Sequence, residues 1–151
     1  CMKEHGHGRY ENIKTGLLPP LFIAFDKDLS EISDKTHKQM KERHACGENN
    51  VVKTMRQIAS LAEEGRQFLI QKKWKAFGVN MDRNYDLRES IFPLNPKHIN
   101  MVKTARKSGA NVNFSGSGGS IIGIYTDKKM LRDLTAALNA INCEVILPII
   151  K

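Results

Sequence analysis

Between Asn113 and Tyr125 the chain reads NFSGSGGSIIGIY, and no other stretch restricts its folding as strongly. Three glycines and three serines lie between Ser115 and Ser120, a backbone that can take positive φ and tolerate close approach by another group. On either side stand ANVNF (110–114) and SIIGIY (120–125), alternating or apolar runs that read as strands. The glycine-rich stretch therefore joins strand to strand and opens no helix. It also lacks the Lys-Ser/Thr of a Walker loop, so phosphate binding at a helix N-terminus does not apply to it. A Gly/Ser connection of this kind is either a plain hairpin or part of a site, and its own residues leave both open.

The remaining elements follow from local pattern. LPPLFIAFD (18–26) is a short apolar run entered from a stiff double proline, which reads as a strand. Residues 27–47 are polar, with few apolar anchors, and read as a loop or loosely helical strap. From Glu48 the positions Val51, Val52, Met55, Ile58, Ala59, Ala62 and Leu69 recur at three and four, predicting an amphipathic helix to about Gln71. A second helix is expected over 72–91, carrying Trp74, Phe77, Met81, Tyr85 and Leu87. Asn95-Pro96 supplies a cap and first-turn proline for a third, ending at Gly109. Asp127 starts a last helix, and CEVILPI (143–149) is a final strand. The order is strand, three helices, strand, strand, helix, strand. Without the two extra helices it is the split β-α-β arrangement of an α+β, ferredoxin-like fold, with helices on one face of an antiparallel sheet.

Charge and cysteines narrow the function classes. The formal net charge is +8, which suits an anionic small molecule or nucleic acid. The basic residues, however, are spread over 35–43, 53–75, 83–88, 97–107 and 128–132, with no aromatic ladder among them, so solvated helix faces explain most of them. A small basic nucleic-acid-binding domain is the lesser alternative. Cys1, Cys46 and Cys143 are far apart and unpaired by any CxxC spacing. That pattern argues against a disulfide framework or zinc knuckle and fits a reducing, cytoplasmic location. His5 and His7 stand too alone to suggest a metal site. No apolar run approaches the roughly 20 residues of a membrane span. The first 16 residues form a polar lead-in that reads as the tail of a preceding domain, with residues 17–151 the folded unit.

On the second predicted helix Asn80, Asn84 and Arg88 follow one another at i+4 and share a face. Amides read hydroxyls and a guanidinium forks onto carboxylate or phosphate, so this line suits a polyhydroxylated anion. The plainer reading is a solvated face with Arg88 paired to Asp86 or Glu89.

NFSGSGGSIIGIY resembles the glycine-rich signature that GHMP kinases carry in their C-terminal domain, and its Ser-Gly-Ser-Gly-Gly form is similar to that of plant-type glucuronokinases. LLPPLFIAF (17–25), SDKTHKQMKER (33–43), SLAEEGRQFL (60–69) and NMDRNYDLRESIF (80–92) are similar, in order, to the segments around it in that family. Asp82 departs from the pattern, standing where an Asn is common, and the glycine run is shorter than in many members. The resemblance implies a C-terminal portion of a kinase that transfers the γ-phosphate of ATP, with magnesium, to the anomeric hydroxyl of a sugar or sugar acid. Its phosphate loop and nucleotide site belong to an N-terminal kinase domain, which becomes the expected partner, and the isolated chain is expected to be inactive. In that scheme Ser115, Gly116, Ser117, Gly118 and Gly119 back the phosphate loop. Asn84 and Arg88, with Asn80, hold the sugar, and Ser33 and His37 reach substrate or phosphate. No catalytic residue or metal ligand is assigned to this chain. A stand-alone ligand-binding or regulatory module on the same fold is the alternative.

Overall fold

The structure is a computed structural model that describes residues 11–28, 33–115 and 119–150, with the side chains of 33–37 not included. After a 3-10 turn at Thr15–Leu17, β1 spans Leu21–Asp26 and α1 spans Ser33–Ala45. Then come α2 (Asn49–Ile70), α3 (Trp74–Glu89) and α4 (Pro96–Lys107). The chain closes with β2 (Asn111–Phe114), β3 (Ser120–Ile124), α5 (Lys128–Asn139) and β4 (Cys143–Ile146). The four strands lie in the order β2-β3-β1-β4, with every pairing antiparallel. This is the ferredoxin-like sheet expected from the element order.

Helix ends follow their caps. The Asn95 side chain accepts from the Lys97 amide at 2.9 Å with Pro96 behind it, and α4 runs out at Gly109, whose φ is +90°. Asp127 caps α5 through the Met130 amide at 2.9 Å. The core lies between the sheet and α4, α5 and the inner side of α3. Phe22, Ala24, Val112 and Ile121 from the strands meet Met101, Val102, Leu134, Leu138 and Tyr85 from the helices. Gly123 is opposite Val112 in the ladder, and a Cβ there would collide with the Phe22 ring.

Three expectations need correction. Residues 27–47 hold a 13-residue helix, α1, so among the described residues four α-helices precede β2. Its Lys, Gln, Glu, Arg and Met residues are good helix formers, but Met40 is its only buried side chain among those described. Apolar periodicity was therefore a poor guide there. Arg43 anchors the helix from outside, donating to Glu48 at 2.6 and 2.7 Å and to the Ile91 carbonyl at 2.7 Å. The first strand begins at Leu21, since Pro19 and Pro20 have no N–H for a ladder. The last strand stops at Ile146, opposite Ile23 and two residues before Pro148, which has no N–H to donate to a ladder.

Candidate functional site at the glycine-rich end of the sheet

α3 lies along the outer strand β2, and the two approach closely. A Cβ on Gly78 would collide with the Asn111 side chain. One turn on, the Asp82 carboxylate accepts from the Val112 amide at 2.9 Å, from the Asn111 side chain and from Arg106 Nε at 3.0 Å. Arg106 also donates to the Asp82 carbonyl at 3.0 Å and to Asp86 at 2.7 Å. A half-buried carboxylate thus ties α3 to both β2 and α4, through charge-assisted bonds stronger than neutral ones.

This clamp fixes where the predicted line of α3 falls. Asn80 is buried and its amide donates to the Leu61 carbonyl of α2 at 3.1 Å, so it joins the two helices. Asn84 accepts from the Asn113 side chain at 3.2 Å. Both asparagines line a groove of about 420 Å³ with Asn113, Leu61, Phe77 and Ile122. Arg88, at the C-terminal end of α3, sits with its guanidinium carbon 5.2 Å from the centre of the Phe114 ring. It is half-buried, and among the described residues it forms no ion pair, since Asp86 is taken by Arg106. Burial pulls its pKa below the ordinary arginine value, as expected for a cation lacking a counter-charge.

Phe114 leads directly into Ser115, where the glycine-rich connection begins. Its mouth is closed by the Ser115 amide donating to the Ser120 carbonyl at 3.2 Å and by Ser120 Oγ donating to the Ser115 carbonyl at 2.6 Å. Gly119 takes φ +75° and its carbonyl accepts from the Asp26 amide at 3.1 Å. Gly116, Ser117 and Gly118 lie outside the described residues. Asp26 turns the chain by accepting from the Asp28 amide at 2.9 Å and approaches Lys97 at 3.9 Å. Ser33 and His37 fall in the first turns of α1, with their side chains outside the described set. The structure therefore brings Arg88, Ser115, Gly119, Asp26 and the start of α4 to one end of the sheet. Asn80 and Asn84 lie further down α3.

His98 was not anticipated. It is 1% exposed and stacks on Phe114 at 4.7 Å between ring centres, with Tyr85 at 4.9 Å from the same ring. Both imidazole nitrogens and the Tyr85 hydroxyl lack a hydrogen-bond partner among the described residues. Burial lowers the pKa of His98 and raises that of Tyr85. The signal was present in the spacing: His98, Met101, Val102 and Ala105 form one apolar-facing stripe of α4, all buried. Among the described residues no group of three or more His, Cys, Asp or Glu side chains could hold a metal, and no helix is long and apolar enough to cross a membrane.

The family model described as GHMP kinases C terminal matches residues 66–142, from the end of α2 through α5. The chain belongs to this family. It is 39% identical over 127 residues to Probable glucuronokinase 2 of Arabidopsis thaliana, covering 80% of this chain and 34% of that protein. To Glucuronokinase 1 of the same plant it is 36% identical over 127 residues, covering 80% of this chain and 35% of the relative. This GHMP-family chain thus spans about a third of the curated relatives it matches. Two solved structures share the fold. Mevalonate kinase from L. major, in complex with R-mevalonate, matches with a TM-score of 0.74 at 16% identity, over 82% of this chain and 39% of its own. A Lin0012 protein from Listeria innocua matches with a TM-score of 0.77 at 12% identity, over 85% and 38%.

Proposed function

We propose that the chain is the C-terminal portion of a sugar-acid kinase, and that its share of the site is to hold the acid group of the sugar at Arg88. The observation that carries this reading is the state of Arg88. A half-buried guanidinium with no acidic partner among the described residues stands beside Phe114, one residue before the glycine-rich connection. A planar cation in that setting suits a carboxylate that it can grip with two parallel N–H bonds. The relatives named glucuronokinases point to a uronic acid as the substrate class, and the proposed acceptor is its anomeric hydroxyl.

In this scheme the hydroxyl oxygen of the sugar bonds to the γ-phosphorus of ATP, the bond to the β-phosphate bridge breaks, and the hydroxyl proton is lost to solvent or a base elsewhere. Catalysis of this kind is mostly positioning and charge stabilisation. The described residues of this chain do not fit a magnesium-nucleotide site. They offer no group of three or more His, Cys, Asp or Glu side chains that could hold a metal, and the connection after β2 leads into β3 and does not itself open a helix. ATP and magnesium are therefore assigned to the N-terminal kinase domain. The Gly-rich connection backs that domain's phosphate loop, and Asn84 with Asn113 offers amides toward sugar hydroxyls. Ser33 and His37 remain part of the proposed substrate-facing set through their place in α1.

The test is steady-state kinetics of the full-length kinase with Arg88→Met and Arg88→Lys. KM for glucuronate should rise at least tenfold in Arg88→Met, with partial recovery in Arg88→Lys, and KM for ATP should stay near its starting value. An unchanged KM for glucuronate in both variants removes Arg88 from the site.

A further inference from the structure

α2 and α3 form an antiparallel hairpin, with Asn80 bonded to Leu61, Arg83 beside Glu64 and Phe77 against Gly65. Only three residues separate Ile70 from Trp74 at its turn, and 71–75 are all exposed. At this corner Ile70 is 42% exposed, Trp74 38% and Val79 51%. Trp74 Nε1 already donates to the Leu17 carbonyl at 3.0 Å, so the indole turns an apolar surface outward with its polar atom satisfied. Lys72, Lys73 and Lys75 line a shallow groove with Trp74, Ala76 and Val79. The charge here has one sign. No Asp or Glu occurs from residue 65 to 81, and among the described residues none of the three lysines forms an ion pair. Helix energetics accounts for only part of this. Lys72, at φ +52°, follows the end of α2, where a cation suits the helix dipole. Lys73 and Lys75 flank the start of α3, whose N-cap makes no side-chain bond and whose first turn has no acidic residue. A cation there opposes the dipole.

We propose that this corner docks on an anionic lipid bilayer, its lysines meeting the headgroups while Ile70, Trp74 and Val79 enter the interfacial layer. Charge complementarity selects an anionic surface, since a second copy would bring the same lysines face to face. The placement of the apolar residues selects a bilayer over an acidic protein. They stand at an exposed helix turn and line no enclosed pocket. Lysine stems can lie along apolar surface while the ammonium stays in water, and tryptophan favours the headgroup level. Each lysine near such a surface strengthens binding roughly fivefold. Arg88 lies at the other end of α3, about 20 Å away by helical rise. A docked corner therefore leaves the glycine-rich end of the sheet open, and docking does not depend on which substrate the kinase takes.

The experiment is vesicle flotation of the full-length gene product, with phosphatidylcholine vesicles and with vesicles that also carry phosphatidylserine. The protein is expected to float only with the second kind, and to be released at roughly 0.5 M salt, where screening shortens the reach of charge to a few ångströms. Lys72→Gln, Lys73→Gln and Lys75→Gln together should weaken binding at least about twentyfold. Val79→Ser leaves the charge unchanged and should weaken it about threefold. The control combines Lys103→Gln, Lys107→Gln and Lys128→Gln, exposed lysines of α4 and α5 whose loss changes the net charge equally. It should float as wild type does. Equal melting temperatures establish that the variants fold. Wild type that stays down with phosphatidylserine vesicles overturns the proposal. If it then binds polyglutamate instead, the corner belongs to an acidic protein. A control as weakened as the lysine variant also overturns it, because net charge alone then explains binding. So does a Val79→Ser variant that floats like wild type.

Discussion

Removing the Asp82 carboxylate should damage the fold more than its half-exposed position suggests. The side chain is 22% exposed, yet it satisfies the Val112 amide, the Asn111 amide group and Arg106 Nε together. Asp82→Ala leaves these three donors without it. Arg106 keeps Asp86 and the Asp82 carbonyl, but the Val112 N–H and Asn111 amide lose their acceptor at a packed helix–strand contact. An unsatisfied buried donor costs about 1–3 kcal/mol. With partial relief by water, the loss comes to about 3 kcal/mol, or a fall of about 6–12 °C in Tm for a domain of this size. Asp82→Asn behaves differently. Its carbonyl can keep accepting from Val112 and Arg106, and rotation of the Asn111 amide presents an oxygen to the new NH2 group. Only the charge assistance disappears, about 1 kcal/mol. Thermal and urea unfolding of the 151-residue chain measure both variants. An Asp82→Ala variant within about 1 kcal/mol of wild type, or an Asp82→Asn variant as damaged as Asp82→Ala, refutes the clamp.

Three further outcomes are expected. Gly78→Ala should destabilise the chain by about 1–3 kcal/mol, against the gain of ~1 kcal/mol expected from helix propensity, because its methyl meets Asn111; a higher Tm contradicts that packing. His98 has its pKa lowered below the ordinary 6.5 by burial, so the unfolded chain takes up its proton first and stability falls as pH drops below about 6.5. Melting curves from pH 7.5 to 5 should show that slope in wild type and a shallower one in His98→Phe; equal slopes would assign it to other groups. Gly119→Ala, placed at φ +75°, should cost about 1–2 kcal/mol of stability. In the full-length kinase it should also lower kcat beyond what that loss explains, whereas Lys128→Ala should leave kcat unchanged; equal kcat in the two variants makes the connection purely architectural.

Much of this architecture was legible because the sequence marks its boundaries chemically. Asn95-Pro96, Gly109 and Asp127 each sit at a helix end and do there what their side chains or φ allow. The sheet order followed from counting elements, since a β-α-β-β-α-β chain has few ways to pair. α1 was less legible because its stability comes from propensity and from Arg43 reaching Ile91, 48 residues away in the chain. The site divides in the same way. The i+4 spacing put Asn80, Asn84 and Arg88 on one helix, but which of them bridges to α2, which bonds β2 and which lacks an acidic partner depends on the register of α3 against β2. That register is set by Asp82, Arg106, Asn111 and the missing Cβ of Gly78, long-range contacts that no local pattern displays.

The most direct measurement is phosphoryl transfer by the full-length gene product, followed by 31P NMR. With ATP, magnesium and glucuronate, a sugar 1-phosphate resonance coupled to the anomeric proton should grow as ADP forms, while the purified 151-residue chain under the same conditions gives none. No phosphorylation of glucuronate or any other sugar by the full-length protein, or turnover by the 151-residue chain alone, would contradict the reading of this domain as the C-terminal portion of a sugar-acid kinase.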